Sequence, residues 1–292
     1  MIITKLHCGL GNQMFQYAAG LALAHKHRTV QKLDVSWFKS HDGMADHNRY
    51  GLNCFNILEQ FSSREEKLDF LKTATHHVAP VVDYYSAFFQ LKDETYLDGY
   101  FQSETFFLPV HETVRQHFTF RFPPDTTVSR WADLILSSSP SVFLHVRRGD
   151  YVTLYQDKFG VLGLDYYERA LQTLKDRHPN LTAFVFSDDI NAVEKELRTD
   201  LPCHFVKATE HHNFFDKIRL MSLCDHAIIS NSTFAWWGAW LIPSREKTII
   251  APKPWFTGDR LNELKVVPES WIQLGRLALD STSTPKISQA RV

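Results

Sequence analysis

The sequence predicts an α/β protein built from two halves. In the second half, apolar segments alternate with segments of helical pattern, which is typical of a parallel sheet with helices on both faces. The first half opens with an apolar strand, a glycine-rich turn and a helix, the start of a similar unit. Pro123-Pro124-Asp125 and Ser137-Ser138-Ser139-Pro140 lie on either side of one predicted helix. This punctuation marks the boundary between the halves.

Residues 2–8 are the predicted first strand, and a helix is predicted from Met14 onward. Between them lies the turn Gly9-Leu10-Gly11-Asn12-Gln13. Glycines let a ligand approach the backbone closely, and a helix start presents free N–H groups to an anion or a sugar. A purely structural turn is the alternative. The amides of Asn12 and Gln13 favour recognition of hydroxyl groups.

The other elements follow in chain order. Residues 30–35 are the second predicted strand and residues 63–73 a charged helix. Phe118, Phe120 and Phe122 alternate with polar residues, which predicts a strand with one buried face. The helix between the halves is predicted over residues 126–136. The second half then reads as strands at 142–146, 183–187, 203–206, 226–230 and 248–251, with helices at 164–176, 191–199, 213–224 and 233–241.

Composition excludes several classes of protein. The chain has 292 residues, 44% of them hydrophobic, and a formal net charge of −1, so no global basic field can hold nucleic acid. Its four cysteines are scattered without a CxxC pair, which argues against a disulfide framework or a zinc site and favours a reducing cytoplasm. Neither a signal peptide nor an apolar stretch of ~20 residues is present, so we expect neither secretion nor a membrane span.

Three polar clusters follow predicted strands of the second half. They are Arg147-Arg148-Gly149-Asp150, Ser187-Asp188-Asp189 and Ser230-Asn231-Ser232-Thr233. The carboxyl ends of parallel strands meet at one edge of a sheet, where ligands bind. Two adjacent guanidiniums near a core need an anion to face them, and a phosphate matches their forked geometry.

Each cluster has more than one interpretation. Ser230 to Thr233 either cap the next helix or grip a phosphate. Asp188 and Asp189 could bind a metal, cap a helix, or accept hydrogen bonds from a nucleobase or from ribose hydroxyls. Asp150 is either a catalytic carboxylate or a structural partner of the arginines, and the structural role is favoured. The tryptophans at 236, 237 and 240 have helical spacing, which favours packing over ligand stacking.

The motifs together carry a family resemblance. In order they are Gly9-Leu10-Gly11-Asn12-Gln13-Met14-Phe15-Gln16-Tyr17, His145-Val146-Arg147-Arg148-Gly149-Asp150-Tyr151, Phe186-Ser187-Asp188-Asp189 and Asn231-Ser232-Thr233-Phe234-Ala235-Trp236-Trp237. With this set the chain resembles the alpha-1,2-fucosyltransferases of glycosyltransferase family 11, particularly the soluble bacterial ones, as far as Trp271. One departure is Cys8, where the family usually has a glycine.

The resemblance implies a GT-B-like fold, with two Rossmann-like halves and a cleft between them. Residues 1–139 would form the acceptor side, residues 140–275 would bind GDP-fucose, and residues 276–292 are expected to be a disordered tail. The implied reaction is an inverting, metal-independent transfer of L-fucose from GDP-fucose to the 2-hydroxyl of a terminal β-galactoside. No cofactor is expected beyond the donor substrate.

The resemblance also assigns roles to individual residues. Arg147 and Arg148 would hold the diphosphate and neutralise the leaving GDP, and such a donor in a dry site typically contributes ~3–4 kcal/mol. Asp150 is the nominated general base. The donor-binding residues would be Gly11, Asn12, Gln13, His145, Asp188, Asp189, Asn231, Ser232, Thr233 and Phe234. Asp188-Asp189 lacks the spacer of a DxD metal motif, which agrees with arginines replacing a metal.

The expected partners are GDP-fucose and a glycan that carries a β-galactoside, without nucleic acid. The expected setting is the cytoplasm, in protein glycosylation or surface polysaccharide synthesis, with peripheral membrane association and oligomeric state left open. Two alternatives stand beside this hypothesis. One is a sugar-nucleotide or glycan-binding protein without turnover, and the other is a transferase of the same fold that uses another GDP-sugar.

Overall fold

The computed structural model describes residues 1–40, 49–79, 84–148, 160, 162–207, 213–257 and 265–276. Within these ranges the chain forms two parallel β-sheets, one in each half, with helices packed around them. The α/β class predicted from the sequence is confirmed. No helix of the described ranges is long and apolar enough to cross a membrane.

The first half carries the smaller sheet. Its strands are β1 Ile2–Lys5, β2 Gln31–Asp34, β3 Thr75–Val78 and β4 Thr95–Asp98. The helices up to the boundary between the halves are α1 Leu10–His27, α2 Ser36–Ser40, α3 Arg64–Thr73, α4 His111–His117 and α5 Thr126–Ser137. The strands lie in the order β2-β1-β4-β3, and each pair is parallel.

The second half carries the larger sheet. Its strands are β5 Ser141–Val146, β6 Thr182–Ser187, β7 Cys203–Phe205, β8 His226–Ile228, β9 Ile249–Lys253 and β10 Ile272–Gly275. The described helices here are α6 Leu164–Lys175, α7 Ile190–Glu196, α8 Asp216–Ser222 and α9 Thr233–Leu241. The strand order is β10-β9-β8-β5-β6-β7, again with parallel pairs.

Each sheet reverses its strand order beside the strand that opens it. β1 lies between β2, which follows it in sequence, and the more distant β4. In the same way β5 lies between β6 and β8. In open parallel sheets, ligands bind at the carboxyl ends of the strands beside such a reversal. The segments that leave β1, β5 and β8 are therefore the places where a site is expected.

One large hydrophobic core joins the two halves through α1 and α9. Phe15 of α1 packs against Trp236 and Trp237 of α9, with ring centroids 4.6 and 4.8 Å away. Both tryptophans are fully buried, which confirms the packing role predicted for them. The indole N–H of Trp237 also donates to the carbonyl oxygen of Gly11 at 3.0 Å. This contact holds the carboxyl edges of the two sheets against each other.

Several boundaries differ from prediction. Helix α1 begins at Leu10, with Gly9 at its N-cap, so the predicted glycine turn is mostly the first helical turn. The strand predicted around Phe118 to Phe122 was wrong: Phe120 forms an isolated antiparallel bridge with Phe55, and Phe122 is 51% exposed. Long-range pairing decides such a segment, and alternation alone does not.

Arg276, the first residue of the predicted tail, is in contact with the rest of the fold. The Arg276 guanidinium donates to the carbonyl oxygens of Pro254 and Trp255, each at 2.9 Å. Arg276 is thereby tied to the segment that leaves β9. Residues 277–292 lie outside the described residues.

Candidate active site

The arginine pair directly follows β5, a strand whose six residues are all buried. Arg147 Nε is 3.2 Å from Asp188 Oδ2, and the backbone N–H of Arg148 donates to Asp188 Oδ1 at 2.8 Å. Asp188 directly follows β6, and the strand register pairs Val146 with Ser187. A carboxylate from the neighbouring strand end therefore orients the pair.

The side chain of Arg148 has a second carboxylate partner. Its Nη2 lies 2.6 Å from Oε2 of Glu196, the last residue of α7. This ion pair raises the pKa of Arg148 and lowers the pKa of Glu196, so both groups stay charged. Asp150, the nominated base, lies outside the described residues.

Asp189 serves as a helix cap. Its Oδ1 accepts a hydrogen bond from the backbone N–H of Ala192 at 3.3 Å, at the start of α7. Of the roles considered for the two aspartates, helix capping applies to Asp189. Asp188 instead pairs with the arginines. In this structure, the two adjacent aspartates do different work.

His145 lies beneath the arginines and is 7% exposed. Its Nδ1 is 2.8 Å from the Ser230 hydroxyl, a contact that joins the end of β5 to the segment after β8. Burial, reinforced by the nearby charge of Arg147, lowers the pKa of His145 to about 3, so the imidazole is neutral. The Phe234 ring lies beside it, with centroids 6.2 Å apart. His145 is therefore a buried residue that connects β5 to the segment after β8.

The start of α9 offers backbone N–H groups. Among the described residues no side chain caps this helix at Ser232. Such N–H groups and the helix dipole favour an anion. Asn231 is 2% exposed, and its Nδ2 donates to the Trp255 carbonyl at 3.1 Å, which holds the loop. The helix start at Ser232 and Thr233 is thus the phosphate-binding candidate of this cluster.

The first half approaches this helix start through Gly11. A Cβ on Gly11 would lie 2.6 Å from the backbone nitrogen of Phe234 and 2.7 Å from the Thr233 hydroxyl oxygen. Only a glycine permits so close an approach. Asn12 lies in the same helical turn, and its Oδ1 accepts a hydrogen bond from Gln102 Nε2 at 2.8 Å.

Gln13 does not present its amide to a ligand, which corrects the expectation drawn from the sequence. The side chain is fully buried. Its Nε2 donates to the carbonyl oxygens of Cys8 and Arg49 at 2.7 and 2.8 Å, and its Oε1 accepts from the Gly51 N–H at 2.9 Å. Gln13 therefore fixes the turn before α1. In that turn Cys8 adopts φ 63°, a conformation that favours glycine.

Lys217 is a site residue that belongs to none of the sequence motifs. It lies in α8, and its Nζ donates to the Ser187 carbonyl at 3.4 Å. Burial lowers the pKa of Lys217, while the charges of Asp188 and Arg147 raise and lower it respectively. A lysine among the buried apolar residues of a short helix was the signal that sequence reasoning could have used.

The fold and the site define a class of protein. In the second half, the arginine pair and the start of α9 lie at the strand-order reversal of the sheet. Gly11 of the first half is packed against that helix start. This arrangement suits a protein that holds a phosphate-bearing nucleotide between two halves. The model of the family described as Glycosyl transferase family 11 matches residues 1–275. The chain belongs to this family and is a glycosyltransferase.

Two relatives from Escherichia coli match almost from end to end. The O-antigen biosynthesis glycosyltransferase WbnK is 31% identical over 91% of this chain and 98% of its own length. An alpha-1,2-colitosyltransferase is 32% identical over 94% of this chain and 99% of its own length.

Among solved structures, NodZ alpha-1,6-fucosyltransferase co-crystallized with GDP has a TM-score of 0.53 to this chain. The match covers 83% of this chain and 92% of that chain at 14% identity, so it speaks for the fold alone. It confirms the predicted GT-B-like fold class.

Proposed function

We propose that this protein transfers L-fucose from GDP-fucose to the 2-hydroxyl of a terminal β-galactoside, with inversion and without a metal or further cofactor. The observation that carries the proposal is the convergence of Arg147, Arg148 and the start of α9 at one strand-order reversal. The four family motifs indicate GDP-fucose as the donor. Like its O-antigen relative, the protein would act in surface polysaccharide synthesis, with the reaction in the cytoplasm.

The geometry supports stabilisation of the leaving group. When the bond between sugar and phosphate breaks, the sugar gains oxocarbenium character and the departing diphosphate gains negative charge. Asp188 holds Arg147 through Nε, so the guanidinium is oriented before the reaction begins. Preorganised donors of this kind stabilise developing charge without reorganisation, by ~3–4 kcal/mol each.

The attacking hydroxyl must lose a proton to complete the transfer. His145 does not suit this task, because it is buried and its Nδ1 lies within hydrogen-bond distance of Ser230. Asp150 remains the candidate from the sequence. A strongly dissociative transition state needs little help from a base, since the proton leaves late.

The direct test is an assay with purified protein, GDP-fucose and lactose, run in parallel without and with EDTA. We expect an alpha-1,2-linked fucosyl product, identified by nuclear magnetic resonance. Absence of product across a broad panel of galactosides would refute the proposed activity. Loss of activity in EDTA would refute metal independence alone.

A second donor has its own support, because one relative at 32% identity is an alpha-1,2-colitosyltransferase. Colitose differs from fucose by the lack of the 3-hydroxyl. Comparing kcat/KM for GDP-fucose and GDP-colitose decides between the two sugars. Tight GDP binding with neither transfer nor donor hydrolysis would instead favour a binding protein without turnover.

A further inference from the structure

Lys217 lies near the ion pair of Arg147 and Asp188. Its ammonium lies at the carboxyl end of β6, 3.4 Å from the Ser187 carbonyl oxygen. Asp188 and Arg147 are the charged groups that act on it electrostatically. The same three charges also act on the buried His145. Lys217 therefore belongs to the charge cluster at the end of β5 and β6.

Contacts with the first half and the boundary segment fix the position of α8. Asp216, its first residue, is buried and pairs with Arg219 at 3.0 Å. The Arg219 guanidinium lies 4.4 Å from the centroid of the Phe120 ring and donates to the Phe122 carbonyl at 2.7 Å. Because these contacts hold the first turn of the helix, which includes Lys217, the base of the Lys217 side chain is set before any ligand binds.

Lys217 decides the net charge of the cluster. The positive members are Arg147, Arg148 and Lys217, and the negative members are Asp188, Asp189 and Glu196. The imidazole of His145 is neutral. Among the described residues three cations thus face three carboxylates, and without Lys217 the cluster would carry a net negative charge. A net negative charge disfavours the more highly charged of two related anions, so Lys217 matters most for a diphosphate.

We propose that Lys217 binds a donor phosphate and makes the site prefer a nucleoside diphosphate to a monophosphate. This inference rests on the proposed function, because it assumes that a guanine nucleotide occupies the site. A lysine acts on phosphate as a point charge, so it complements the forked arginines without copying their geometry. A lysine that merely neutralised Asp188 would affect folding stability and leave the phosphate preference unchanged.

The test compares calorimetric Kd values for GDP, GMP and guanosine. Lys217→Met removes the charge, Lys217→Arg keeps it, and Lys72→Met is the control because Lys72 is exposed on α3. Because Lys217→Met would remove a hydrogen bond to a charged phosphate, it should weaken GDP binding about 10-fold or more. We expect a smaller loss for GMP and none for guanosine. Lys217→Arg should keep most of the preference for GDP.

The outcomes separate the two proposals. No GDP binding by the wild type would overturn the proposed function, and the inference with it. GDP binding by the wild type with an unchanged GDP-to-GMP ratio in Lys217→Met would overturn the inference alone. Lys217→Gln provides a second charge-free variant if the methionine variant does not fold. A ratio that falls in the charge-free variants and stays high in Lys217→Arg supports the assignment.

Discussion

Gly11 and Thr233 lie against each other, although they come from different halves of the chain. A Cβ on Gly11 would be 2.6 Å from the Thr233 carbonyl carbon. Gly11 is in the first turn of α1, and Thr233 is the first residue of α9. Two helix starts therefore meet at the site, and each has the positive end of a helix dipole.

The first prediction concerns this contact. Gly11→Ala should lower turnover strongly and destabilise the fold by about 1–3 kcal/mol, because the methyl group would press on backbone atoms of α9. Urea unfolding and steady-state kinetics measure the two effects. Gly275→Ala is the matched control, since a Cβ there has no neighbour within 4 Å. Wild-type turnover in Gly11→Ala would contradict the close approach.

Gln13 should matter for stability. Gln13→Leu keeps the volume of the side chain but leaves the Cys8 and Arg49 carbonyls and the Gly51 N–H without their partner. An unsatisfied buried group costs about 1–3 kcal/mol, so the free energy of unfolding should fall by at least that amount. Gln172→Leu, at an exposed position, should leave it unchanged. If Gln13→Leu were as stable as the wild type but bound the donor weakly, the result would support the role in sugar recognition that the sequence suggested for Gln13.

The substitution Asp188→Asn distinguishes two roles of Asp188. One is to orient Arg147, and the other is to contact the guanosine of the donor. The amide oxygen can still accept the Arg148 N–H, but Arg147 loses its charged partner. We expect kcat to fall about 10-fold or more, as for a lost charged hydrogen bond, while GDP binds at least as tightly. Asp200→Asn, which alters an exposed ion pair, is the control. Weaker GDP binding in Asp188→Asn would indicate contact with guanosine instead.

Arg148→Lys should lower turnover about 100-fold, because an ammonium cannot reproduce the forked donors of a guanidinium. The Glu196 carboxylate would still find a cation, so stability should change little. Single-turnover kinetics with GDP-fucose measure the effect. Arg177→Lys, at an exposed position, is the control. Rates like the wild type in Arg148→Lys would refute the role of the arginine.

The buried His145 predicts a loss of stability in acid. Its pKa is about 3 in the folded state and about 6.5 in the unfolded state, so below pH 6.5 the unfolded chain binds more protons. The free energy of unfolding should therefore fall as pH drops from about 6.5 towards 3. His145→Gln should show a shallower fall over this window in urea titrations, whereas substitution of the exposed His111 should not. Equal slopes would contradict the buried neutral imidazole.

Local patterns predicted part of this structure well. Alternating apolar and helical segments located most of the second half, and α9 begins and ends where predicted, at Thr233 and Leu241. The arginine pair lies at a strand end because a buried strand must finish before two cations. These features depend on neighbours in sequence.

Other features depend on residues far apart in the chain. Gln13 looked like an exposed amide, yet its partner Gly51 comes from a distant loop. Lys217 joins the site because α8 packs beside the end of β6, which no local pattern encodes. The carboxylate that contacts both arginines proved to be Asp188 of the next strand end, which the strand register places beside them.

The aromatic contact between α1 and α9 gives this protein a built-in optical reporter. Three of its seven tryptophans, Trp236, Trp237 and Trp240, lie in the helix that joins the halves. Indole emission depends on the polarity and packing of its surroundings. Any opening or closing of the cleft that shifts α1 against α9 should therefore change the intrinsic fluorescence. Donor binding can be followed in unlabelled protein, and the same signal reports whether the halves move at all.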